Sequence, residues 1–510
     1  EVREQGFKPN VETQMPPVIG LAGDPDAPMA LHQLVSDTLD VDPADMLGSD
    51  LMLHDLQPPT LGGLNEEFIF APRLDNQACS YAGLQALIAL GDPPRPTAVL
   101  ALHDHEECGS RSAVGADSSF LEMVMERIGR AARDRSGAKI AAITGSVGKT
   151  GSKEMLRLAL ARSGSVHASV KSFNNHWGVP LSLARMPKET EFGIFEIGMN
   201  HAGEITPLSK MVEPDVAIIT TVEPVHLEFF SSVEEIADAK AEIFAGLKAG
   251  GTAILNRDNP HFARLKAVAE KVPNVRLLSF GADKAADIHL EKSVLHEACS
   301  CVCASVAGEG VTYKLGIPGQ HIVLNSLAVL GAVKAVEGDL ARALLKLADL
   351  TPPSGRGGRR HIKGGKYDFL LIDESYNANP ASMRAALAAL GRTQPRGQGR
   401  RIAVLGDMLE LGEQSDALHA RLADALSEAG VAQLYACGPH MKKLCKAAAS
   451  AIDVFHAENS EGLVKPLLAQ LRAGDAVMVK GSLGSKMAVI VTALTELNGD
   501  GRDLPERGRA

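Results

Sequence analysis

Residues 139–150 read KIAAITGSVGKT, and this stretch decides the fold of the larger part of the chain. An apolar, strand-like run leads into the turn Gly145-Ser146-Val147-Gly148-Lys149-Thr150, and residues 152–164, SKEMLRLALARSG, continue with a helical pattern. A strand, a glycine turn and a helix form a concave nest of backbone N–H groups at the positive end of the helix. In such a loop the lysine can reach the β- and γ-phosphates and the threonine hydroxyl can ligate Mg²⁺. The stretch therefore predicts a phosphate-binding loop.

Strand-like runs then alternate with helical patterns along the chain. The runs are FGIFEIGMN, VAIITTV, TAILN, RIAVLGD and AVMVKGS. This rhythm indicates an α/β protein with parallel sheets covered by helices, which bind ligands at the carboxyl ends of their strands. Glu196 and His226 lie where two of these strands end, and a carboxylate with an imidazole suits a nucleotide-bound Mg²⁺. Each alone is typical of an ordinary loop; their order after the phosphate loop favours the metal site.

The composition is that of a globular protein. The 510 residues include 52 Lys and Arg against 62 Asp and Glu, a net charge of −10, and 45% are hydrophobic. These values exclude a disordered chain and a nucleic-acid binder that relies on bulk positive charge. No apolar run approaches the roughly 18 residues of a membrane span, and no signal peptide is visible. The odd number of cysteines, seven, favours a reducing cytoplasm, and we expect a monomer. The chain opens without Met, so Glu1 is not expected to be a native start.

The cysteines predict no disulfide framework. The chain has seven, an odd number. Cys299, Cys301 and Cys303 have period-2 spacing, which predicts one face of a strand. A metal site would require Cys-x-x-Cys spacing and a second ligand pair, so we expect these three to be small buried core residues.

The charge is divided unevenly along the chain. Residues 1–127 carry 6 Lys and Arg and 21 Asp and Glu, a net charge of −15, whereas residues 128–510 carry 46 and 41, a net charge of +5. Such a shift predicts two pieces of different character, although an acidic surface lobe is the plainer alternative.

The second piece resembles a known family in its motifs. TGSVGKT, SFNNHWGVPLSL, EIGMNHAGEI, VEPVHLEFF, ADAKAEIF, DESYNANPASMRAAL, LGDMLELGE and VKGS occur in the order typical of the Mur ligases, over about residues 128–500. The resemblance implies a central ATP-binding domain with a P-loop, residues 128–352, and a Rossmann-like C-terminal domain, residues 353–510. It also implies ATP-dependent ligation of D-alanyl-D-alanine to UDP-N-acetylmuramoyl-tripeptide through an acyl phosphate, in peptidoglycan precursor synthesis. Folylpolyglutamate synthesis, also catalysed within this superfamily, fits SYNANP and LGDMLELG less well.

The resemblance also implies roles for individual residues. Lys149, Glu196, His226, Lys240, Arg356 and Asp373 match catalytic positions, with Lys240 at the lysine that the family often carbamylates. The implied contacts are with ATP for Gly145, Ser146, Val147, Gly148, Lys149, Thr150, Asn325 and Arg356; with Mg²⁺ for Thr150, Glu196 and His226; with the muramyl substrate for Asn174 and Asn175; and with the dipeptide for Asn377 and Asn379. Ile322 departs from the family pattern, which usually has Asn there.

The first piece resembles a different family. PRLDN and DHEE, in this order, are similar to motifs of aspartyl aminopeptidase-type zinc metallopeptidases. Asp75 matches a carboxylate that bridges two zinc ions, Glu106 the general base and Glu107 a zinc ligand. The plainer interpretation of DHEE is a polar strand end. The family takes further ligands from segments that are replaced here by ligase sequence, so we expect a truncated α/β metallopeptidase fragment without a dinuclear zinc site.

The chain is therefore interpreted as a chimera of a peptidase fragment, residues 1–127, and a Mur-type ligase core. In the family an N-terminal domain binds UDP, and residues 1–127 do not resemble it, so we expect impaired ligation. Two alternatives stay open: a zinc aminopeptidase-related protein, and a catalytically weak ATP-binding chimera.

Overall fold

The computed structural model describes residues 31–46, 56–72, 74–90, 98–103, 119–225, 227–364 and 367–498. The chain divides into two compact units, Glu1–Leu102 and His103–Ala510. The domain boundaries expected after residues 127 and 352 stay predictions.

The described part of the first unit has little core. It contains helix α1 (Leu31–Leu39), the antiparallel strands β1 (Thr60–Gly62) and β2 (Phe68–Phe70), and helix α2 (Leu74–Ala89). Helix α2 has no buried residue, and all three side chains of β2 are exposed although they are apolar. Within these described residues, the unit buries almost none of its apolar surface.

The second unit contains a nine-stranded sheet. Its strands are β3 (Lys139–Thr144), β4 (Val166–Ala168), β5 (Phe192–Glu196), β6 (Val216–Ile219), β7 (Thr252–Asn256), β8 (Arg276–Gly281), β9 (Ile288–Leu295), β10 (Ser300–Val306) and β11 (Glu309–Leu315). Their order is β11-β10-β9-β8-β7-β6-β3-β5-β4. Strands β3 to β9 are parallel, and β10 and β11 extend the sheet antiparallel.

Helices cover both faces of this sheet. They are α3 (Phe120–Asp134), α4 (Lys149–Leu160), α5 (Gly178–Ala184), α6 (Ile205–Val212), α7 (Val233–Ala241), α8 (Phe262–Ala269), α9 (Gln320–Ala335) and α10 (Leu340–Lys346), with 3₁₀ turns at Glu242–Gly246 and Leu347–Asp349. Ile143 packs in one hydrophobic cluster with α4 and α9, whereas the preceding Ala142 packs in another with α5 and α6. Alternate residues of one strand thus enter two cores, which explains why its sequence is continuously apolar.

The strand order creates a crevice beside β3. The chain runs from β3 to the edge strand β4, returns to pair β5 on one side of β3, and then places β6 on the other side. Such a reversal separates the loops at the carboxyl ends of the strands and leaves space for a ligand. The phosphate loop predicted from the sequence begins at this point.

A second, six-stranded sheet follows. Its strands are β12 (Gly358–Gly364), β13 (Tyr367–Glu374), β14 (Arg401–Gly406), β15 (Gln433–Cys437), β16 (Asp453–Ala457) and β17 (Ala476–Lys480), in the order β12-β13-β17-β14-β15-β16. Only β12 is antiparallel to its neighbour. The accompanying helices are α11 (Pro380–Arg392), α12 (Ser415–Ala420), α13 (Leu422–Glu428), α14 (Met441–Ala448), α15 (Glu461–Gln470) and α16 (Ala488–Thr495), with 3₁₀ turns at Gly412–Gln414 and Leu483–Ser485. A further 3₁₀ turn, Pro43–Asp45, belongs to the first unit. The α/β class with a Rossmann-like second sheet is confirmed.

The cysteine prediction is wrong in one respect. Strand β10 exists, but its core face consists of Ser300, Val302, Ala304 and Val306, and Cys301 is exposed. The alternating pattern separates the two faces of the strand correctly, but β10 buries the face opposite the cysteines. In the described segments no helix is long and apolar enough to cross a bilayer.

The ion pair between Arg400 and Asp475 gives a stability test. The Asp475 side chain is fully buried and accepts hydrogen bonds from the Arg400 backbone N–H (2.8 Å) and Nη2 (2.9 Å) and from the Arg472 backbone N–H (2.9 Å). Asp475→Ala should lower the free energy of unfolding by about 3 kcal/mol, because it leaves a mostly buried guanidinium without its partner. Chemical denaturation measures this change. Asp453→Ala, at an exposed strand end, is the control and should change stability little; equal stability of the two variants would contradict the prediction.

Candidate active site

Two glycines shape the loop after β3. Gly145 has φ +144°, and a Cβ there would lie 2.0 Å from Thr220 Oγ1. Gly148 has φ +86°, and a Cβ there would lie 2.4 Å from Asn325 Nδ2. Both the positive φ and the close approach require glycine. With no side chain at these two positions, a phosphate can approach the backbone at the start of α4 closely.

The loop after β6 holds the phosphate loop in place. Ser146 donates its backbone N–H to the Thr221 carbonyl (2.9 Å), and its hydroxyl donates to the Glu223 carbonyl (3.0 Å) and accepts from the Glu223 N–H (2.9 Å). Thr220 Oγ1 donates to the Val147 carbonyl (2.6 Å). These bonds attach the loop to the neighbouring strand end, so its shape depends on the order of the sheet.

Lys149 is a half-buried cation at the first turn of α4. Its Nζ donates to the Gly145 carbonyl at 2.7 Å. Burial lowers the pKa of Lys149; the negative charge of Glu196 opposes this change, and the positive charge of Arg356 adds to it. The ammonium thus interacts electrostatically with a carboxylate of the first sheet and with a guanidinium that precedes the second sheet.

The predicted Mg²⁺ ligands Thr150 and Glu196 are in contact. Glu196 is 1% exposed and accepts from Thr150 Oγ1 at 2.9 Å and from Asn174 Nδ2 at 2.8 Å. A carboxylate and a hydroxyl are oxygen donors, which Mg²⁺ prefers, and Mg²⁺ commonly takes one or two protein ligands together with substrate phosphates. The donors present fit the ion. His226, the third predicted ligand, lies outside the described residues.

Lys240 is buried near the end of α7, with 2% of its surface exposed. Burial lowers the pKa of Lys240 well below its ordinary value, and the positive charge of Lys149 adds to the lowering. A buried lysine with a lowered pKa has a larger neutral fraction, and the neutral amine is the nucleophilic form.

A cavity of about 900 Å³ lies between the two sheets of the second unit, beside the carboxyl ends of their strands. The structure brings most of the predicted residues to its wall. These are Ser146, Val147, Gly148, Lys149, Thr150, Asn174, Asn175, Glu196, Asn325, Arg356, Asn377 and Asn379. Gly145, Lys240 and Asp373 are not among the described lining residues.

The wall formed by the second sheet carries its own charged groups. The Arg356 guanidinium lies over the Tyr376 ring, 4.2 Å from the centroid, a favourable cation–π arrangement. Lys480 Nζ donates to the Asn377 carbonyl at 2.9 Å and lies 3.4 Å from Glu374 Oε2. Burial lowers the pKa of Lys480, an effect opposed by Glu374 and reinforced by Arg356.

Two predicted residues have structural partners of their own. Asn379 caps α11: its side-chain oxygen accepts from the Ser382 N–H at 2.9 Å, and its own N–H donates to Ser382 Oγ. Asp373 accepts from the Ser375 N–H (3.1 Å) and Oγ (2.6 Å). Their roles toward substrate stay predictions.

Sequence reasoning missed several lining residues. Glu374, Tyr376, Lys480 and Ser172 line the cavity, and none was assigned a role from the sequence. The available signal was position in the sequence. Glu374 and Lys480 end apolar strands, and Tyr376 follows two residues after Glu374, in the motifs DESYNANP and VKGS. Ser172 lies in SFNN, beside the asparagines that were singled out.

The zinc-site matches of the first piece are mostly outside the described residues. Asp75 lies in the first turn of α2 and accepts a hydrogen bond from the Asn76 N–H at 2.9 Å, whereas Glu106 and Glu107 are not described. In the described ranges no group of three or more His, Cys, Asp or Glu residues could hold a metal ion. The expectation about zinc stays a prediction.

Three family models match the chain. The Mur ligase middle domain matches residues 143–333, and the Mur ligase, glutamate ligase domain matches residues 358–483. The aminopeptidase I zinc metalloprotease (M18) model matches residues 1–182, so the resemblance of the first piece to this peptidase family is confirmed.

Relatives and solved structures agree with the two ligase models. The UDP-N-acetylmuramoyl-tripeptide–D-alanyl-D-alanine ligases of Rickettsia prowazekii and Escherichia coli are each 32% identical, over 362 and 372 residues, which is 70% and 71% of this chain and 78% of each relative. MurF from Acinetobacter baumannii has a TM-score of 0.67 at 27% identity, covering 74% of this chain and 81% of that one. MurF from Thermotoga maritima in complex with ADP has a TM-score of 0.65 at 26% identity, covering 76% and 87%. With this phosphate loop, this strand order and these relatives, the chain belongs to the Mur ligase family.

Proposed function

We propose that this ligase joins D-alanyl-D-alanine to UDP-N-acetylmuramoyl-tripeptide with ATP, a step in peptidoglycan precursor synthesis. The observation that carries the proposal is the cavity in which the phosphate loop of the first sheet faces Arg356, Glu374 and Lys480 of the second. The substrates are those named for the relatives at 32% identity.

The first step is activation of a carboxylate. A carboxylate does not react with an amine unaided, because its oxygen is a poor leaving group at neutral pH. Attack of the carboxylate on the γ-phosphorus of ATP releases ADP and gives an acyl phosphate, whose leaving group is phosphate. Lys149 and Arg356 stabilise the negative charge on the transferring phosphoryl group, since both line the cavity that holds it.

Thr150 and Glu196 would hold Mg²⁺, with His226 as the further predicted ligand. The ion supplies neutralisation of phosphate charge when it is bound. Asn325, beside Gly148, contacts the nucleotide from the α9 side, and Asn174 fixes the Glu196 carboxylate through its 2.8 Å hydrogen bond.

Lys240 contributes after carbamylation. Its neutral amine attacks carbon dioxide and releases a proton to solvent, which gives a carbamate; the carbamate oxygens would be anionic ligands for Mg²⁺. Burial favours this reaction because it disfavours the ammonium.

The second step forms the amide. Asn174 and Asn175, which line the cavity from the first sheet, would contact the muramyl peptide, and Asn377 and Asn379, which line it from the second, would contact the dipeptide. The dipeptide amine attacks the acyl carbon, and the tetrahedral intermediate expels phosphate while the amine loses a proton. Water would hydrolyse the acyl phosphate, so the two sheets must enclose it.

Lys149→Ala should abolish ATP turnover, with a loss of at least about a hundredfold, because the variant lacks the cation that meets the transferred phosphate. Release of inorganic phosphate measures turnover. Lys139→Ala, at the far end of β3 on the surface, is the matched control and should keep its activity. Turnover by Lys149→Ala equal to that of the control would contradict the phosphate-loop assignment.

Ligation should depend on carbon dioxide through Lys240. Removing carbon dioxide from the buffer should slow the reaction, and adding bicarbonate should restore it. Lys240→Met should be slow and insensitive to bicarbonate, because it has no amine to carbamylate. Native mass spectrometry should show one added carbon dioxide on the wild-type chain and none on Lys240→Met. A rate that does not respond to bicarbonate in either protein would refute this role.

Residues 1–127 should limit ligation more than ATP binding. Binding energy from remote parts of a substrate helps to position the reacting carboxylate, and residues 1–127 resemble a peptidase and not a UDP-binding domain, so they should not supply that energy. We expect that replacing residues 1–127 by the UDP-binding domain of a Mur ligase increases the ligation rate at saturating ATP and leaves the Kd of ATP unchanged. If the original chain already ligates as fast as the replacement, the expectation is wrong.

A further inference from the structure

The loop of residues 169–175, here named the Ser172 loop, connects both walls of the cavity. It follows β4 and precedes α5. The mechanism above uses only its asparagines, Asn174 and Asn175. The other contacts of this loop have no assigned role.

A buried ammonium in α4 is hydrogen-bonded to the backbone of the Ser172 loop. Lys153 lies in α4, one turn after Lys149, and its side chain is fully buried. Its Nζ donates to the carbonyls of Ser169 (2.6 Å) and Lys171 (2.5 Å) and lies 3.1 Å from Glu154 Oε1. A buried charge is tolerated when it is fully hydrogen-bonded, and here the partners are mainly the backbone of the loop. Lys171 itself has φ +50°, an uncommon conformation for a non-glycine residue.

The loop contacts both proposed Mg²⁺ ligands. Ser172 Oγ lies 3.3 Å from Thr150 Oγ1, and Asn174 Nδ2 donates to Glu196 at 2.8 Å. Ser169 Oγ accepts from the Glu196 backbone N–H at 3.3 Å. The position of this loop therefore determines the geometry of the Thr150–Glu196 pair.

The part of the chain that belongs to the second sheet contacts the Ser172 loop at Ser172. Tyr376 OH donates to Ser172 Oγ at 3.1 Å, between residues 204 positions apart in the chain. Arg356 lies over the Tyr376 ring, and the Tyr376 N–H donates to the Gly355 carbonyl at 3.1 Å. Tyr376 and Arg356 thus approach the first sheet as one group.

The hydroxyls form a chain with one direction. Thr150 Oγ1 uses its single hydrogen to donate a hydrogen bond to Glu196. Ser172 is therefore the donor in the hydrogen bond between Ser172 and Thr150. Tyr376 donates to Ser172 in turn. Every donor in the chain points toward the buried carboxylate, and such chains polarise cooperatively.

We propose that Ser172, Tyr376 and Lys153 are positioning residues that couple contact with the second sheet to the Thr150–Glu196 site. Lys153 holds the loop, and the Tyr376 hydroxyl completes the hydrogen-bond chain only when the second sheet is in place beside it. Phosphoryl transfer is thereby favoured when the dipeptide side of the cavity is assembled. This inference rests on the proposed function for its catalytic readout.

Tyr376→Phe is the sharpest test, because it deletes one hydroxyl and keeps the ring under Arg356. We expect kcat for ligation to fall about three- to tenfold, the effect of one hydrogen bond, with the Kd of ATP unchanged. In a Ser172→Ala background the same change should have no further effect. Tyr313→Phe is the matched control: it deletes a buried Tyr–Ser hydrogen bond of 2.7 Å to Ser326, away from the cavity, and should leave kcat unchanged.

Hydrogen–deuterium exchange gives a readout that does not need ligation. Tyr376→Phe should accelerate exchange in the peptide that covers residues 169–175, and Lys153→Met should accelerate it more. Tyr313→Phe should not accelerate it. If Lys153→Met fails to fold, Tyr376→Phe and the double variant still decide the question.

The two proposals fail in different ways. A wild-type chain that binds ATP but does not join the two substrates contradicts the proposed function, and exchange of the loop then tests the coupling alone. A wild-type chain that ligates, with kcat and loop exchange both unchanged in Tyr376→Phe, overturns the coupling and leaves the function intact. Additive effects of Tyr376→Phe and Ser172→Ala also overturn it, because independent residues do not form a chain.

Discussion

A single buried carboxylate organises the cavity. Glu196 ends β5 with 1% of its surface exposed, and a buried carboxylate is costly unless its oxygens accept hydrogen bonds. The bonds come from Thr150, after β3, and Asn174, after β4. Ile143, near the end of β3, pairs directly with Glu196 in the sheet. The parallel register of neighbouring strands is therefore what brings the threonine and the carboxylate together.

The second unit contains several lysines whose positive charge is disfavoured, and two of them, Lys149 and Lys480, line this cavity. Lys149, Lys240 and Lys480 all have a pKa lowered by burial, and Lys149 and Lys480 also lose affinity for a proton through Arg356. Lys149 and Lys480 line the cavity together with Arg356, and the positive charges of these groups repel one another. A polyanionic ligand such as a nucleoside triphosphate would relieve that repulsion, which agrees with the proposed binding of ATP between the sheets.

The two parts of the chain differ in physical character. The hydrophobic clusters of the described residues all fall between Ala138 and Leu494, within the ligase part. In the first unit, α2 has no buried residue, and the matching family model is that of a peptidase. The acidic balance of residues 1–127, already visible in the sequence, follows the same division.

Features that depend only on neighbouring residues could be predicted from the sequence alone. The strand, glycine turn and helix around Lys149 are local, so the phosphate loop, the α/β class and the strands that end at Glu196 and Gly406 were predictable. The tertiary structure decided which groups meet. Period-2 alternation placed Cys301 and Cys303 on one face of β10, but only the helices packed on the sheet determined that the opposite face is buried. The hydrogen bond from Tyr376 to Ser172 joins residues 204 positions apart, and no local pattern encodes a contact that depends on how two sheets pack.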